Sequence, residues 1–414
     1  MDFATHYTEE QEAFRQEVRK WIDDNIPEDK RRPIDPEIMT DGQLGPAADL
    51  YNWWREKHVE IAAKGWLYPT MPKEYGGGGL SGEEETIIEE EFSRGRVVTG
   101  FTNGLVFPTL LVWATEEQKQ KFLVPLLKAE KVAFQNFTEP NAGSDLASVQ
   151  STAIRDGDDW IINGQKQYVS GSGVPDLLFG PMMTDPDAPR HRNLGYFMIE
   201  NPAEGLTVNR MALLAGSRQN RIYMDNVRQP GDHLIGGPNQ GWQVTQTTLE
   251  QEHGGRGQAF PRDEALEHLL EYVKTTKRGG EGIAADQSVA LDTVKNVIDS
   301  HIHTLFAKRN YSMYLNREEM SYHGSQSSMW RKSYNLNNSL RELDIMGPYA
   351  LLGTNEPGSP FGGAPEVHQR NALQGLHPGG TVEIQKVIIA RRIGISRTRE
   401  RAAPTPATAT THSS

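Results

Sequence analysis

A chain of 414 residues is long enough for two or three domains, each burying a full core. The absence of cysteine excludes disulfides, thiolate metal sites and cysteine nucleophiles, so the chemistry must come from other side chains or from a bound cofactor. With 55 acidic against 43 basic residues the net charge is -12, which argues against a surface built to track nucleic-acid phosphates.

The first residues, MDFATHYTEEQEAFRQEVRK, carry acidic groups and no continuous apolar stretch, unlike a signal or transit peptide, and the expectation is a cytoplasmic protein. No window reaches the roughly 18 apolar residues of a membrane span. In EEQEAFRQEVRKWIDDNIP, Phe14, Val18, Trp21 and Ile22 recur at helical spacing, predicting an amphipathic helix that ends before Pro27. A second helix is predicted in ADLYNWWREKHVEIAAKG, ending at Gly65. A glycine turn, YGGGGL, follows, and then a third helix in SGEEETIIEEEFSR with Ser81 as its cap. The acidic run from Glu83 to Glu91 reads as a solvated helix face.

Near residue 132 the texture changes to short β-like runs divided by turns: STAIRD, GDDWIING, KQYVSG, LGYFMIE, LTVNRM, RIYMDNV and HLIGG. Such a succession implies a small barrel or sandwich. Helices return at Gly241 in GWQVTQTTLEQEHGGRG, then in RDEALEHLLEYVKTTKR, across 288–315 and 326–346, and from about Gly380 in VEIQKVIIARRIG. The closing RAAPTPATATTHSS is low in complexity and is expected to be disordered. The fold expected is therefore an α+β multidomain one. It comprises an N-terminal all-α domain over 1–131, a central β-barrel or sandwich over 132–237, a C-terminal helical bundle over 238–400 and a tail over 401–414.

One segment, FTEPNAGSDLASVQSTAIRDGDDWIINGQKQYVSGS, carries a long composite pattern: threonine, EP, AGSD, a spaced strand, then NGxK with an aromatic and a hydroxyl residue. Taken singly, each of these residues reads as an ordinary turn or strand position. The whole string resembles the flavin-binding segment of the acyl-CoA dehydrogenase family. The resemblance extends through EYGGGGLS, MDNV and GPNQGW to GGTVEIQKVIIARR, over residues 5 to 400.

The resemblance implies that the C-terminal helices form a four-helix bundle, and it implies FAD as cofactor. On the β-domain side it implies contacts from Gln135, Phe137, Thr138, Gly143, Ser144, Tyr168, Val169 and Ser170, with Thr138 near flavin N1 and O2 and Ser170 near N5. Donors there stabilise the negative charge that a reduced flavin gathers. Tyr168 stands where many members have tryptophan. Thr381 and Glu383 would meet the cofactor at the start of the last helix. Arg278, Gln287 and Asp344 would meet its adenosine half from a neighbouring subunit, although Thr276 is what aligns with the family's usual arginine. Ser144, Gly254, Gly379 and Gly380 would contact the acyl-CoA, with Gly143 and Ser144 allowing close approach to a phosphate.

Removing a proton next to a thioester carbonyl requires a carboxylate in a desolvated site. Many members supply it from a Tyr-Glu-Gly-Thr string before the final helix, but here Pro378 and Gly379 occupy the tyrosine and glutamate positions. A second family solution places glutamate on the first helix of the C-terminal bundle. There LEQEH aligns Glu252 with the base of the long-chain and isovaleryl types and His253 with the arginine that follows it. Gly379 on one wall makes room for a carboxylate on the other. Glu250, two residues away, is the competing carboxylate, and a solvated helix end is the competing reading of both. Gly254 and Gly255 would weaken a helix interior, and Pro261 breaks what the family runs as one helix.

The resemblance further implies α,β-dehydrogenation of an acyl-CoA to the trans-2-enoyl-CoA, with an electron-transfer flavoprotein as reoxidant and a tetramer built as a dimer of dimers. No metal, nucleic acid or membrane span is expected. The alternatives are a flavin oxidase or monooxygenase of the same fold and a non-catalytic partner subunit in a mixed tetramer.

Overall fold

The computed structural model describes residues 6–33, 46–211, 213–215, 219–253, 257–354 and 356–396, with side chains at 46–47 and 250–253 outside that description. The C-terminal tail of the sequence reading lies outside the described residues.

The chain begins with α1 (Glu9–Asn25), whose first turn is closed by a reciprocal cap between Thr8 and Gln11. It continues through α2 (Pro46–Ala63) and α3 (Gly82–Arg94), where Ser81 and Glu84 form the same kind of capping box. Val18, Ile22, Trp54, Ile61, Ile88 and Phe92 form the core between these helices. The glycine turn before α3 is a close backbone approach, since a Cβ on Gly78 would stand 2.1 Å from the Gly65 carbonyl oxygen.

The acidic run on α3 is only in part the solvated face that the sequence predicts: Glu89 is exposed and Glu83, Glu84 and Glu85 are half-buried, but Glu90 and Glu91 are drawn into ion pairs. Glu91 is 1% exposed and accepts from Arg15, Arg19 and Arg94, while Glu90 accepts from Arg15 and from the Tyr7 hydroxyl. Burial pushes the Glu90 carboxyl up. At Glu91 burial acts in the same sense, but Arg19 and Arg94 overcome it and hold the carboxyl below its ordinary range. The last turns of the N-terminal region are α4 (Val106–Trp113), α5 (Glu116–Gln118), one π-helical turn and α6 (Val124–Leu127).

The middle of the chain is one eight-stranded sheet. Its strands are β1 (Ala133–Gln135), β2 (Thr152–Asp156), β3 (Asp159–Ser170), β4 (Leu177–Met183), β5 (Leu194–Glu200), β6 (Leu206–Met211), β7 (Gln219–Pro230) and β8 (Leu234–Ile235). They run in the order β6-β7-β3-β2-β4-β5-β8, with β1 parallel to β4. Two runs predicted as separate strands, GDDWIING and KQYVSG, are the single strand β3, which keeps pairing with β7 across two register shifts. Strands β1 and β4 were not predicted. β4 and β5 are buried on both faces, with Leu178, Met182, Phe197 and Ile199 in the sheet's own core. Leu177, Phe179, Tyr196 and Met198 instead pack with Phe107, Leu110 and Phe122 of the helices. A strand covered on both sides need not alternate apolar with polar, so LLFGPMM carries no period-2 signal.

The C-terminal region holds α7 (Gly241–His253), α8 (Glu264–Thr275), a short hairpin of β9 (Lys277–Arg278) and β10 (Glu281–Gly282), α9 (Gln287–Leu315), α10 (His323–Met346), α11 (Ala364–Gln374) and α12 (Val382–Arg392). Asp263 caps α8 after the Pro261 break, Asp286 caps α9 with Gln287 as its first residue, and Thr381 caps α12. α10 packs against α9, α11 and α12. Among the described residues, no helix is long and apolar enough to cross a membrane.

Candidate active site

The β3–β7 ladder loses its register between Lys166 and Val169, so one extra residue must be absorbed in β3. Tyr168 absorbs it with φ +57, a left-handed conformation uncommon for a non-glycine residue, and is left 50% exposed. Val169 then points into the sheet core at 1% exposure, and its carbonyl accepts from Asn220 Nδ2 at 3.1 Å. Ser170 follows at the end of β3, with Gln219 Nε2 3.4 Å from its hydroxyl.

Opposite this bulge runs the loop that leaves β1. Gln167 N–H donates to Thr138 O at 2.8 Å, which ties the loop to the bulge directly. Lys166, fully buried at an inward-facing position, places Nζ 2.9 Å from Glu139 Oε1, 3.0 Å from Pro181 O and 3.2 Å from Phe137 O. Glu139 in turn accepts from the N–H groups of Gln150 (2.6 Å) and Ser151 (3.0 Å). Burial alone would raise the Glu139 carboxyl, but Lys166 and the backbone donors hold it below the ordinary range. One buried ion pair thus staples both ends of the segment that contains Gly143 and Ser144.

A cavity of about 910 Å³ opens beside this segment. From the sheet side it is lined by Gln135, Phe137, Thr138, Gly143, Ser144, Tyr168 and Ser170, and from the helical side by Leu249, Pro378, Gly379, Gly380 and Thr381. Gln135 is fixed by the Asn103 amide at 3.1 Å. Space around Gly143 is open: a Cβ there would meet nothing within 4 Å. Arg370 closes another side, paired with both oxygens of Glu366 and donating to Leu214 O at 3.3 Å. A cavity of this size, more apolar than polar and with the Thr138 and Ser170 hydroxyls at its edge, fits an isoalloxazine ring with an acyl chain beside it.

The helix α7 is held to both other regions by buried hydroxyls. Thr248 Oγ1 lies 2.8 Å from Thr109 Oγ1 of α4 and 3.2 Å from the Tyr196 hydroxyl of β5, and Trp113 donates to Thr247 at 2.9 Å. Burial pushes the Tyr196 hydroxyl up, so it stays protonated and able to donate. Position 252 lies on α7 one helical turn beyond cavity-lining Leu249. The side chains of Glu250, Glu252 and His253, and Gly254 and Gly255 altogether, lie outside the described residues.

The structure thus gathers Gln135, Phe137, Thr138, Gly143, Ser144, Tyr168, Ser170, Gly379, Gly380 and Thr381 around one cavity. It does not bring every predicted residue there. Val169 faces the sheet core, leaving only its backbone for the cofactor, and Glu383 is exposed on the first turn of α12, off the cavity wall. Arg278, Gln287 and Asp344 are exposed and away from the cavity, with Arg278 bonded to Ile345 O at the end of α10. Sequence reasoning missed Asn103, Leu213–Ala215, Leu249 and the Arg370–His377 stretch of the lining. None of these carries a local motif; they converge only through the tertiary fold.

Comparison with known proteins agrees with this geometry. The acyl-CoA dehydrogenase N-terminal domain model matches residues 8–130, the middle domain 135–227 and the C-terminal domain 239–394. The acyl-CoA dehydrogenase FadE26 of Mycobacterium tuberculosis is 28% identical over 397 residues, covering 92% of this chain and 96% of that protein. Among solved structures, the ChsE4-ChsE5 complex from Mycobacterium tuberculosis matches with a TM-score of 0.80 at 26% identity, over 95% of this chain and 99% of that one. The Tcur3481-Tcur3483 steroid ACAD matches with a TM-score of 0.80 at 25% identity, over 97% and 100%. The fold and the cavity are those of a FAD-dependent oxidoreductase. The chain belongs to the acyl-CoA dehydrogenase family, with the three-domain fold expected from its sequence.

Proposed function

We propose that the chain dehydrogenates an acyl-CoA thioester between its α and β carbons, giving the trans-2-enoyl-CoA, with Glu252 as the base. The observation that supports this reading is a cavity lined by Thr138 and Ser170 on its sheet side and by a carboxylate-free glycine turn on its helical side. Thr138 and Ser170 would hold the flavin, which when bound would supply the acceptor for the β-hydride, while Leu146, Leu249 and Ile384 would exclude water from the reacting carbons. Glu252, one helical turn beyond Leu249, takes the pro-R α-proton onto its carboxylate, since position 379 offers no side chain to do so. Gly379 and Gly380 leave this wall bare, which supports a wide acyl group.

Electrons would leave to an electron-transfer flavoprotein. The exposed apolar positions Leu291, Val294, Ile298 and Leu305 along α9 support assembly with further subunits. Arg278, Gln287 and Asp344, off this chain's own cavity, are then available to a neighbour's cofactor in a dimer of dimers. Structures similar to this chain include the heteromeric ChsE4-ChsE5 complex, so the neighbour is either a second copy or a sister chain. The test is a panel of acyl-CoA substrates assayed with an artificial acceptor, with product analysis. Formation of the trans-2-enoyl-CoA is expected; rapid oxygen consumption without an acceptor would instead favour an oxidase.

A further inference from the structure

The turn between α11 and α12 supplies a wall of the cavity, through His377, Pro378, Gly379, Gly380 and Thr381. Gly379 and Gly380 both have left-handed backbones, with φ +67 and +77, so nothing in their own side chains or propensities fixes the turn's shape. Its shape is imposed from behind. Lys332 of α10, only 5% exposed, reaches across and donates from Nζ to Gly375 O at 2.8 Å and to Pro378 O at 2.6 Å. Gln385 of α12, 1% exposed, donates from Nε2 to Gly379 O at 2.6 Å. Three carbonyls of the turn are thereby bound to the helices behind it.

Burying an ammonium and an amide costs desolvation, which is offset only if each donor finds an acceptor. The turn is what provides those acceptors. Conversely, without Lys332 the Gly375 and Pro378 carbonyls lose their donor, and two adjacent glycines leave the backbone free to relax into the cavity.

We propose that Lys332 and Gln385 are specificity-determining positioning residues: they hold the glycine turn back and so set how wide an acyl group the cavity accepts. The inference rests on the reading of the cavity as an acyl-CoA site. Neither residue touches the reacting atoms. Their loss narrows the wall without removing the flavin contacts at Thr138 and Ser170, which lie on the sheet.

The experiment titrates the visible flavin band of the holoenzyme with two non-reducing CoA thioesters, crotonyl-CoA and cinnamoyl-CoA. Wild type, Lys332→Met and Gln385→Leu are compared. In both variants the Kd for cinnamoyl-CoA is expected to rise by about 10-fold or more, the scale of a pocket misfit, while that for crotonyl-CoA changes by less than about 3-fold. Flavin stoichiometry should stay at the wild-type value. Gln385→Leu removes one neutral donor and keeps the test open if Lys332→Met does not fold. An unchanged ratio of the two dissociation constants in a folded variant overturns the inference, as does equal weakening of both thioesters together with flavin loss. A wild-type flavin band that responds to neither thioester would instead sink the acyl-CoA reading itself, and the inference with it.

Discussion

Replacing Lys166 with methionine removes the cation from a fully buried pair while keeping most of the side chain's volume. Nζ serves three acceptors at once, Glu139 Oε1, Pro181 O and Phe137 O. Its loss leaves the Glu139 carboxylate desolvated and without its counter-charge, although the Gln150 and Ser151 N–H groups remain. Breaking a buried pair from one side costs roughly 3–5 kcal/mol, well above the usual effect of a surface change. At about 2.1 cal/mol/K per residue, ~4 kcal/mol lowers the melting midpoint by about 5 °C if all 414 residues unfold together, and by roughly 20 °C if the middle domain melts alone. Differential scanning calorimetry separates these cases, and the flavin-to-protein ratio reports the loop that carries Phe137 and Thr138. Glu139→Gln should act in the same direction, since it leaves Lys166 uncompensated. A Lys166→Met protein that melts like wild type with full flavin would refute the reasoning.

Other consequences follow from buried groups elsewhere. Burial holds the His58 imidazole down to about 4 from an ordinary 6.5, against the raising effect of its 2.8 Å bond to Val98 O. The unfolded chain therefore takes up a proton first: stability is full above about 6.5 and declines as pH falls toward 4. Thermal melts across that window should show the decline, with a shallower slope in His58→Gln; equal slopes would contradict it. The carboxyl of Glu91 is depressed, so its contribution is present above the ordinary carboxylate value and lost as pH drops through the lowered one. Glu91→Gln should cost about 1–3 kcal/mol in urea unfolding near neutral pH, because Arg15, Arg19 and Arg94 are partly solvated partners. Thr138→Val, which removes a hydroxyl at the cavity edge, should lower flavin affinity or shift its reduction potential while leaving the melting midpoint of the apoprotein unchanged; a flavin titration with a potential measurement checks this.

Much of the fold was legible because its signals are local. Ser81 capping α3, the start of the last helix near Gly380, and the turn-bounded strands of the middle domain all depend on neighbours within a few residues. The flavin segment was legible as a string, and most of its members do meet at one cavity. What failed was non-local. The Glu90 and Glu91 partners Arg15 and Arg19 lie more than seventy residues away, so charge patterning alone placed these carboxylates in solvent. β3 reads as two strands because Asn163-Gly164 is turn chemistry, yet the strand continues through a register shift there. β4 escaped notice because it is covered on both faces. Lys332 gave no sign at all, since a lysine in a helix reads as surface unless the carbonyls it serves are known.

Anaerobic mixing of the holoenzyme with its best acyl-CoA, followed through the visible flavin band, tests the central claim most directly. Wild type should bleach. Glu252→Gln should bind the thioester and hold its flavin but reduce it about 10²–10⁴-fold more slowly, the usual worth of a general base. A Glu252→Gln protein that bleaches at the wild-type rate would contradict the account, and the same loss in Glu250→Gln instead would move the base to that residue.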